Sequence, residues 1–307
     1  MKRILTCLLL TAVLLTACAA PSSSGSSSEV TFTDDLGREV TVAAPQRVAA
    51  LLGSYADMWV LAGGTVCASA DDAWEEFHLP VTDDTVNLGN TKKLSMEALL
   101  AAEPDFIIAS TNTSQHREWQ PTLESLKIPV AYFNVRCFED YLRVLKICTE
   151  ITGNSDAYQT YGEDLKVQID EMISAHPEEK SQSVLVMRAS ASSIRAKNSD
   201  GTVLGTILRD FGCTNIADSD DSLLENLNAE SILLQNPDKI FLVQSGDDLE
   251  GAKENIEDLF RENPMWQQLD AVKSGNVYYM EKELYNLKPN SRWAEAYRKV
   301  EDILYGE

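Results

Sequence analysis

The chain has 307 residues, which suits two domains of roughly 120–130 residues behind a short leader. Its 48 acidic residues outnumber its 26 basic residues and give a net charge of −22. This charge argues against nucleic-acid binding, which requires a basic surface. Against this acidic background, a group of basic residues near one predicted cleft is unusual and indicates a candidate ligand site.

The N-terminus predicts export from the cell. Lys2 and Arg3 precede an apolar stretch that is too short for a permanent membrane span, so residues 1–17 are predicted to be a signal peptide. Removal of its two basic residues lowers the net charge to −24. No later apolar run in the sequence is long enough to cross a membrane.

The segment that follows predicts a membrane anchor. The small residues before Cys18 resemble a bacterial lipobox, which implies cleavage before Cys18 and a lipid on its sulfur. An ordinary cleavage site with an incidental cysteine is the alternative. Residues 18–28 are rich in Ser, Ala, Gly and Pro, a composition typical of a flexible chain, so they are predicted to be a lipidated tether.

The first half of the mature chain predicts an α/β lobe over residues 29–153. Apolar runs of strand length alternate with amphipathic segments that end at glycine or proline. The predicted order is strand 47–52, helix 54–62, strand 106–109, strand 130–135 and helix 138–152. Such alternation is typical of parallel sheets covered by helices.

A connecting helix and a second lobe follow. Apolar residues recur at helical spacing over about five turns within residues 154–177, and Pro177 ends the pattern. These residues are therefore predicted to form one long helix between the lobes. Residues 178–307 repeat the α/β pattern, with strands predicted at 183–188, 240–243 and 276–280 and helices at 202–211 and 292–304.

Two segments, residues 94–108 and 227–241, align without a gap and indicate that both lobes contain the same unit. Each predicts a capped helix, a Pro-Asp turn and a buried strand. Ser95 and Asn228 are favourable N-cap residues. The apolar runs after the Pro-Asp turns suit parallel strands that are covered on both faces.

The order of these features resembles a known family. Residues 30–48 are similar to its N-terminal hairpin and first strand, both lobes contain its helix-Pro-Asp-strand unit, and residues 263–278 are similar to the stretch leading into its last strand. The family comprises substrate-binding lipoproteins of ABC importers for iron-siderophore, haem and cobalamin. The resemblance implies a class III-type periplasmic binding protein: an α/β chain with two Rossmann-like lobes, parallel sheets and one long connecting α-helix.

The resemblance also implies partners. They are a small-molecule chelate, an ABC permease with its ATPase, and a membrane on whose extracytoplasmic face the lipid anchor holds a monomer. In the family one glutamate per lobe pairs with permease arginines, and Glu97 and Glu230 occupy the matching positions. The alternative is that both are surface glutamates favoured by the helix dipole.

Loops after strand ends predict the ligand site, because ligands of open α/β sheets bind at the carboxyl edge of the strands. The loops are 53–55, 71–74, 110–116 and 134–136 in the first lobe and 188–197, 244–245 and 282–292 in the second. Their basic and aromatic residues are the candidates, and the basic ones favour an anionic ligand. Arg188, at the end of a strand, is the first choice, whereas Arg195 is also compatible with a hairpin that points away. The predicted ligand-binding residues are Tyr55, Trp74, Arg136, Arg188, Arg195, Tyr285 and Arg292.

Together with these residues, the resemblance implies capture of an iron chelate such as a ferric siderophore, with no permanently bound cofactor. Cobalamin or haem in the same role, and a ligand-sensing lipoprotein without a permease, are the alternatives. An enzyme is not expected, because the chain has no GxSxG, HExxH or P-loop motif and no GxGxxG after a strand.

The histidines and cysteines do not predict a metal site. The three histidines, His78, His116 and His176, lack the spacing of metal ligands. No CxxC pair occurs, which argues against a zinc or redox motif. A disulfide between Cys137 and Cys148 is permitted outside the cell, and free thiols are slightly favoured. The cysteines concerned are Cys67, Cys137, Cys148 and Cys213.

Overall fold

The computed structural model describes residues 29–80, 82, 84–177 and 181–306. The predicted signal peptide and the tether with Cys18 lie outside these residues. Within the described part of the chain, no helix is both long enough and apolar enough to cross a membrane.

The strands form two sheets of parallel strands and one separate hairpin. They are β1 (Glu29–Thr33), β2 (Glu39–Ala43), β3 (Val48–Ala50), β4 (Val66–Ser69), β5 (Val86–Asn87), β6 (Phe106–Ser110), β7 (Val130–Phe133), β8 (Ser183–Ser190), β9 (Ser193–Ala196), β10 (Thr214–Asn215), β11 (Lys239–Gln244) and β12 (Val277–Met280). The N-terminal lobe has the order β5-β4-β3-β6-β7, and the C-terminal lobe has the order β10-β8-β11-β12. Strand β9 pairs antiparallel with β8, and β1 pairs with β2.

Helices cover the faces of both sheets. In the N-terminal lobe they are α1 (Gly53–Leu61), α2 (Asp72–Glu75), α3 (Met96–Ala101), α4 (Ser114–Ser125) and α5 (Phe138–Thr152). The connection between the lobes contains α6 (Ser155–Tyr158) and α7 (Asp164–Ser174). In the C-terminal lobe they are α8 (Val203–Asp210), α9 (Asp221–Glu225), α10 (Ala229–Gln235), α11 (Leu249–Glu262), α12 (Asp270–Lys273), α13 (Lys282–Tyr285) and α14 (Trp293–Tyr305).

One hydrophobic core is shared by the two lobes. Alternate residues of a strand point to opposite faces of its sheet. On β6, Phe106 and Ile108 therefore face the shared core, while Ile107 packs against the outer helices of its own lobe. On β8, Val184 and Val186 reach the same shared core from the other lobe. The two sheets thus enclose a central apolar layer, and each has an outer layer of its own.

The connection between the lobes is helical from residue 155 to residue 174. The Asn154 side chain caps it by accepting a hydrogen bond from the Ala157 amide at 3.2 Å. A π-helical turn at Gln159–Glu163 joins α6 to α7. The sequence predicted one regular helix, and the structure shows that one turn of it is wider. Buried Ile169 and Met172 of α7 belong to the shared core, so the connection is packed along its length.

The repeated unit has the predicted form in both lobes. The Ser95 hydroxyl accepts a hydrogen bond from the Ala98 amide at 3.1 Å at the start of α3. The Asn228 side chain accepts from the Glu230 amide at 3.0 Å at the start of α10. Glu97 and Glu230 are both exposed in the first turns of these helices. Each lobe therefore presents one glutamate at an equivalent position.

Candidate ligand-binding cleft

A cleft of about 380 Å³ lies between the lobes at the carboxyl edges of both sheets. Its N-terminal-lobe wall is built from segments after β4 and β5, and its C-terminal-lobe wall from segments at the ends of β8, β11 and β12. The lining residues are Asp71, Asp72, Glu75, Glu76, Asn90, Thr91 and Lys92 from the first lobe, and Arg188, Ser190, Ser245, Gly246, Asp247, Lys282, Asn286 and Leu287 from the second. The cleft has the position that parallel-sheet topology favours for a ligand.

Arg188 is a partly buried cation without a counter-ion among the described residues. It follows Val186 by two positions on β8 and so points to the face of the sheet that lies toward the other lobe. Its Nε is buried and has no hydrogen-bond partner in the described part of the chain. Burial lowers the pKa of the Arg188 guanidinium because the charged form loses solvation. A buried cation of this kind is complementary to an anionic group of a ligand.

Two further cations lie beside Arg188. Arg195 of β9 is directly opposite Arg188 in the antiparallel ladder, so both side chains point to the same face. Lys197 follows at the end of β9, where burial and the charges of Arg188 and Arg195 lower the pKa of its ammonium group. Hairpin pairing therefore concentrates positive charge on the C-terminal-lobe side of the cleft.

The opposite wall is acidic and is centred on α2. The Asp72 carboxylate accepts a hydrogen bond from the Gly53 amide at 2.8 Å. Burial nevertheless raises the pKa of Asp72 to about 6, and the neighbouring Asp71 and Glu76 carboxylates add to this shift. A Cβ on Gly53 would lie 2.5 Å from the Ala73 backbone nitrogen. The close approach of α1 to α2 therefore requires glycine at position 53.

Lysines of the C-terminal lobe contact this acidic wall. Lys282 forms an ion pair with Glu76 across the cleft, and its Nζ is 3.6 Å from Asp247 Oδ1 of its own lobe. Lys288 lies near Asp72, and burial lowers the pKa of the Lys288 ammonium to about 8. Some of the acidic charge on the wall is thus neutralised from the opposite lobe.

A buried seam between the lobes borders the cleft. Asn290 is fully buried, and its side-chain nitrogen donates hydrogen bonds to the Ser54 carbonyl at 2.8 Å and to Asp57 Oδ2 at 2.7 Å. The Trp293 ring, also fully buried, packs on α5 with centroid distances of 5.8 Å to Phe138 and 6.3 Å to Tyr141. These contacts fix how the lobes are oriented on either side of the cleft.

Comparison with known proteins decides the family. A family model described as periplasmic binding protein matches residues 48–284, which is most of the chain. The protein belongs to the periplasmic binding protein family. Because this is a family of ligand-binding proteins, the expectation that the chain is not an enzyme is confirmed.

Relatives of this periplasmic binding protein span nearly its whole length. The putative ABC transporter substrate-binding lipoprotein YhfQ of Bacillus subtilis is 28% identical, with 95% of this chain and 94% of the relative covered. The Fe(3+)-citrate-binding protein YfmC of the same organism is 23% identical, with 92% and 90% covered. The crystal structure of Staphylococcus aureus IsdE complexed with heme matches with a TM-score of 0.71 at 16% identity, covering 84% and 98%. The predicted family and two-lobed fold are confirmed.

The two tyrosines predicted to contact ligand lie in the core of this periplasmic binding protein. Tyr55 and Tyr285 are each only 1% exposed. The Tyr55 hydroxyl donates to the Phe133 carbonyl at 2.8 Å, and the Tyr285 hydroxyl donates to the Ala296 carbonyl at 3.0 Å. Their positions near strand ends were predicted correctly, but their side chains point away from the cleft. Trp74 is partly buried against the shared core and does not line the cleft either.

The predicted arginines separate into two groups. Arg188 lines the cleft and Arg195 lies beside it. Arg136 and Arg292 are exposed and form ion pairs with the helices that follow them, Arg136 with Asp140 of α5 at 3.2 Å and Arg292 with Glu295 of α14 at 2.7 Å. Neither of the latter two lines the cleft, so the structure does not support a ligand contact for them.

Several lining residues escaped the sequence analysis. Glu75, the last residue of α2, and Glu76 directly follow the predicted 71–74 loop. Asp247 lies two residues beyond the predicted 244–245 loop after β11. Lys92 follows β5, a two-residue strand without a detectable apolar run. Lys282 was within a loop predicted to face the cleft, but its ion pair with Glu76 joins residues 206 positions apart and leaves no local signal.

The described cysteines and histidines form no metal-binding cluster that would be a second candidate site. The four described cysteines are free thiols, so Cys137 and Cys148 are not joined by a disulfide in this structure. Burial raises the pKa of Cys148 to about 12 and that of Cys137 to about 11, which disfavours reactive thiolates. Among the described residues, no group of three or more His, Cys, Asp or Glu side chains could hold a metal ion.

Proposed function

We propose that the protein captures an anionic ferric chelate between its lobes and delivers it to the permease of an ABC importer. The observation that carries this proposal is Arg188, a cation at the cleft whose buried Nε has no partner among the residues that the structure describes, flanked by two further cations. Carboxylate or chelate oxygens of a ligand would supply the missing hydrogen-bond acceptors. The name of the relative YfmC, a Fe(3+)-citrate-binding protein, supports an iron chelate over other anions.

Binding of candidate ligands tests the proposal directly. The protein would be titrated with ferric citrate, a ferric hydroxamate, a ferric catecholate, haemin and cyanocobalamin, following tryptophan fluorescence and thermal unfolding. A ligand present at about 100 times its Kd stabilises the folded state by about 2.7 kcal/mol, which is a clear rise in Tm. We expect that rise with an anionic ferric chelate. Stabilisation by cyanocobalamin alone would contradict the proposal, and stabilisation by haemin alone would reassign the ligand to haem.

We further propose that Glu97 and Glu230 dock the loaded protein on the permease. They are exposed, they occupy equivalent first turns in the two lobes, and neither lines the cleft. Glu97→Lys/Glu230→Lys should abolish uptake while the affinity for ligand stays unchanged, because only the docking charges are reversed. Unchanged uptake would reject docking at these positions and favour a sensor that acts without a permease.

We also propose that residues 1–17 are removed on export and that a lipid on Cys18 anchors the protein at the extracytoplasmic face of the membrane. The relative YhfQ is named a lipoprotein, which supports this localisation. The mature protein would then consist of the tether 18–28, a lobe over 29–153, the connection 154–177 and a lobe over 178–307, acting as a monomer. Cys18→Ala should release the protein from the membrane fraction, and retention of the cleaved protein there would argue against the anchor.

A further inference from the structure

The two walls of the cleft have opposite charge. Acidic side chains of α2 and its flanks form the N-terminal-lobe wall, while Arg188 and Lys282 are the cations that line the C-terminal-lobe wall. Arg195 and Lys197 lie beside Arg188 without lining the cleft. Each wall carries one exposed residue of the other sign, Lys92 on the acidic side and Asp247 on the basic side. Asp247 contacts Lys282 of its own lobe at 3.6 Å, so its charge is partly neutralised there.

Pairing between the lobes accounts for only part of the acidic charge. Glu76 is paired with Lys282, and Asp72 faces the ammonium of Lys288. Asp71 and Glu75 take part in none of the ion pairs among the described residues. Among the described residues, two carboxylates on one wall and Arg188 on the other are therefore outside any ion pair, although Lys92 also lines the acidic wall and Asp247 the basic wall.

A purely anionic ligand would match only one of these walls. Its anionic groups would be attracted to Arg188, and the same charge would be repelled by Asp71 and Glu75 across a cleft of only about 380 Å³. A ligand with anionic groups at one end and a cationic group at the other would be attracted to both walls. Repulsion between the acidic wall and the anionic groups of a ligand also provides specificity, because it weakens binding of ligands that lack the cationic group.

We propose that the ligand is a dipolar chelate whose anionic groups contact Arg188 and whose protonated amine or guanidinium arm contacts Asp71 and Glu75. The inference rests on the proposed function and names its substrate class more narrowly. It assigns the acidic wall a role in selecting the ligand, in addition to the ion pair between the lobes.

A matched pair of probes tests this inference. One probe is the ferric complex of a citrate-based bis-hydroxamate chelator carrying one primary amine, and the other is the same complex with that amine acetylated. Both would be titrated by tryptophan fluorescence quenching into the wild type, into Asp71→Asn/Glu75→Gln and into Arg188→Met. Asp156→Asn/Glu171→Gln is the control, because it removes two exposed carboxylates on the connection between the lobes and lowers the net negative charge equally.

The wild type and the control should bind the amine form about tenfold more tightly than the acetylated form. Asp71→Asn/Glu75→Gln should lose this preference, and Arg188→Met should weaken both forms by a similar factor. Equal binding of the two forms by the wild type, or an unchanged preference in Asp71→Asn/Glu75→Gln, would overturn the inference.

Failure of the inference is distinguishable from failure of the proposed function. If ferric citrate binds in an Arg188-dependent manner and the wild type shows no preference for the amine form, the ferric-chelate function stands and the dipolar ligand is rejected. If neither probe nor ferric citrate binds the wild type, the proposed function is rejected together with the inference.

Discussion

The seam around Asn290 and the cleft around Arg188 are adjacent contacts between the same two lobes, yet they differ in chemistry. At the seam, Asn290 donates two hydrogen bonds to the opposite lobe and Trp293 packs against two aromatic rings. At the cleft, Arg188 has a buried Nε without a partner in the described residues. Asn290 Oδ1 and Trp293 Nε1 at the seam are also buried without a partner among the described residues, so the difference lies in the charge of Arg188. The seam fixes the geometry of the lobes, whereas the proposed function assigns the partner of Arg188 to a ligand. Such preorganisation reduces the cost of ordering the site on binding.

The largest effect is expected at the aromatic part of the seam. Trp293→Ala should lower the free energy of unfolding by about 3–5 kcal/mol, because it removes a large, fully buried side chain and leaves a cavity. Chemical denaturation measures this change. Trp293→Phe is the matched control and should cost less than half as much, because it keeps a ring against Phe138 and Tyr141. Equal costs for the two variants would contradict a packing role.

The cleft should show effects of opposite sign on binding and on stability. Arg188→Met should weaken chelate binding about 10–100-fold, because the ligand loses a charge-assisted contact. The ligand-free protein should be equally stable or more stable, since an unpaired, partly buried charge is removed. Titration and thermal unfolding of the same samples measure both.

Arg136→Met is the control for this prediction, because Arg136 is exposed and already paired with Asp140. It should leave binding unchanged. A loss of stability in Arg188→Met without loss of affinity would place Arg188 with the seam rather than with the ligand site.

The polar part of the seam should give a smaller effect. Asn290→Gly should cost about 1–3 kcal/mol, because two hydrogen bonds are lost and Asp57 keeps a partly buried carboxylate without this donor. Asn290 has a positive φ of 50°, which glycine adopts without strain. Asn290→Ala should therefore cost about 1 kcal/mol more than Asn290→Gly. If alanine were the milder replacement, backbone conformation would not limit this position.

The smallest effect is expected at Asp72, on the boundary between cleft and seam. Its folded-state pKa of about 6 is above the ordinary value, so the native state binds the proton more tightly than the unfolded chain. The stability that this gives is present below about pH 4 and is lost as the pH rises through about 6. Asp72→Asn keeps an acceptor for the Gly53 amide and should be more stable than the wild type by about 1–2 kcal/mol at pH 7. Denaturation at pH 4 and pH 7 measures the difference, which should disappear at the lower pH. A constant difference would argue against titration of Asp72.

The sequence predicted most elements whose apolar pattern is strong. Helix α5 has the predicted bounds, because Gly153 adopts the left-handed conformation that ends it. Strands β6, β8 and β11 were predicted correctly because each contains a strong apolar run. Helix α4 was missed, because it contains Pro121 and few buried residues. Strands β5 and β10 were missed because two residues carry no periodicity.

The position of the candidate cleft was predictable from the sequence, but the directions of the side chains around it were not. The rule that loops after strands face the cleft located Arg188 and the 71–74 loop. The same rule selected Tyr55 and Tyr285, whose rings turn into the core because α1 and α13 bury the faces that carry them. Whether Arg136 and Arg292 reach a ligand depended on their ion pairs with Asp140 and Glu295. Those pairs have the i,i+4 and i,i+3 spacing of local ion pairs, a signal that the sequence contains and that the loop rule did not use.

The shared core has a consequence for how the protein unfolds. Phe106 of one lobe and Phe241 of the other are both fully buried and belong to one apolar layer, so unfolding either lobe alone would expose the other lobe's inner face to water. The lobes should therefore melt as a single cooperative unit, with equal calorimetric and van't Hoff enthalpies. A two-lobed architecture would in this way behave thermodynamically as one domain.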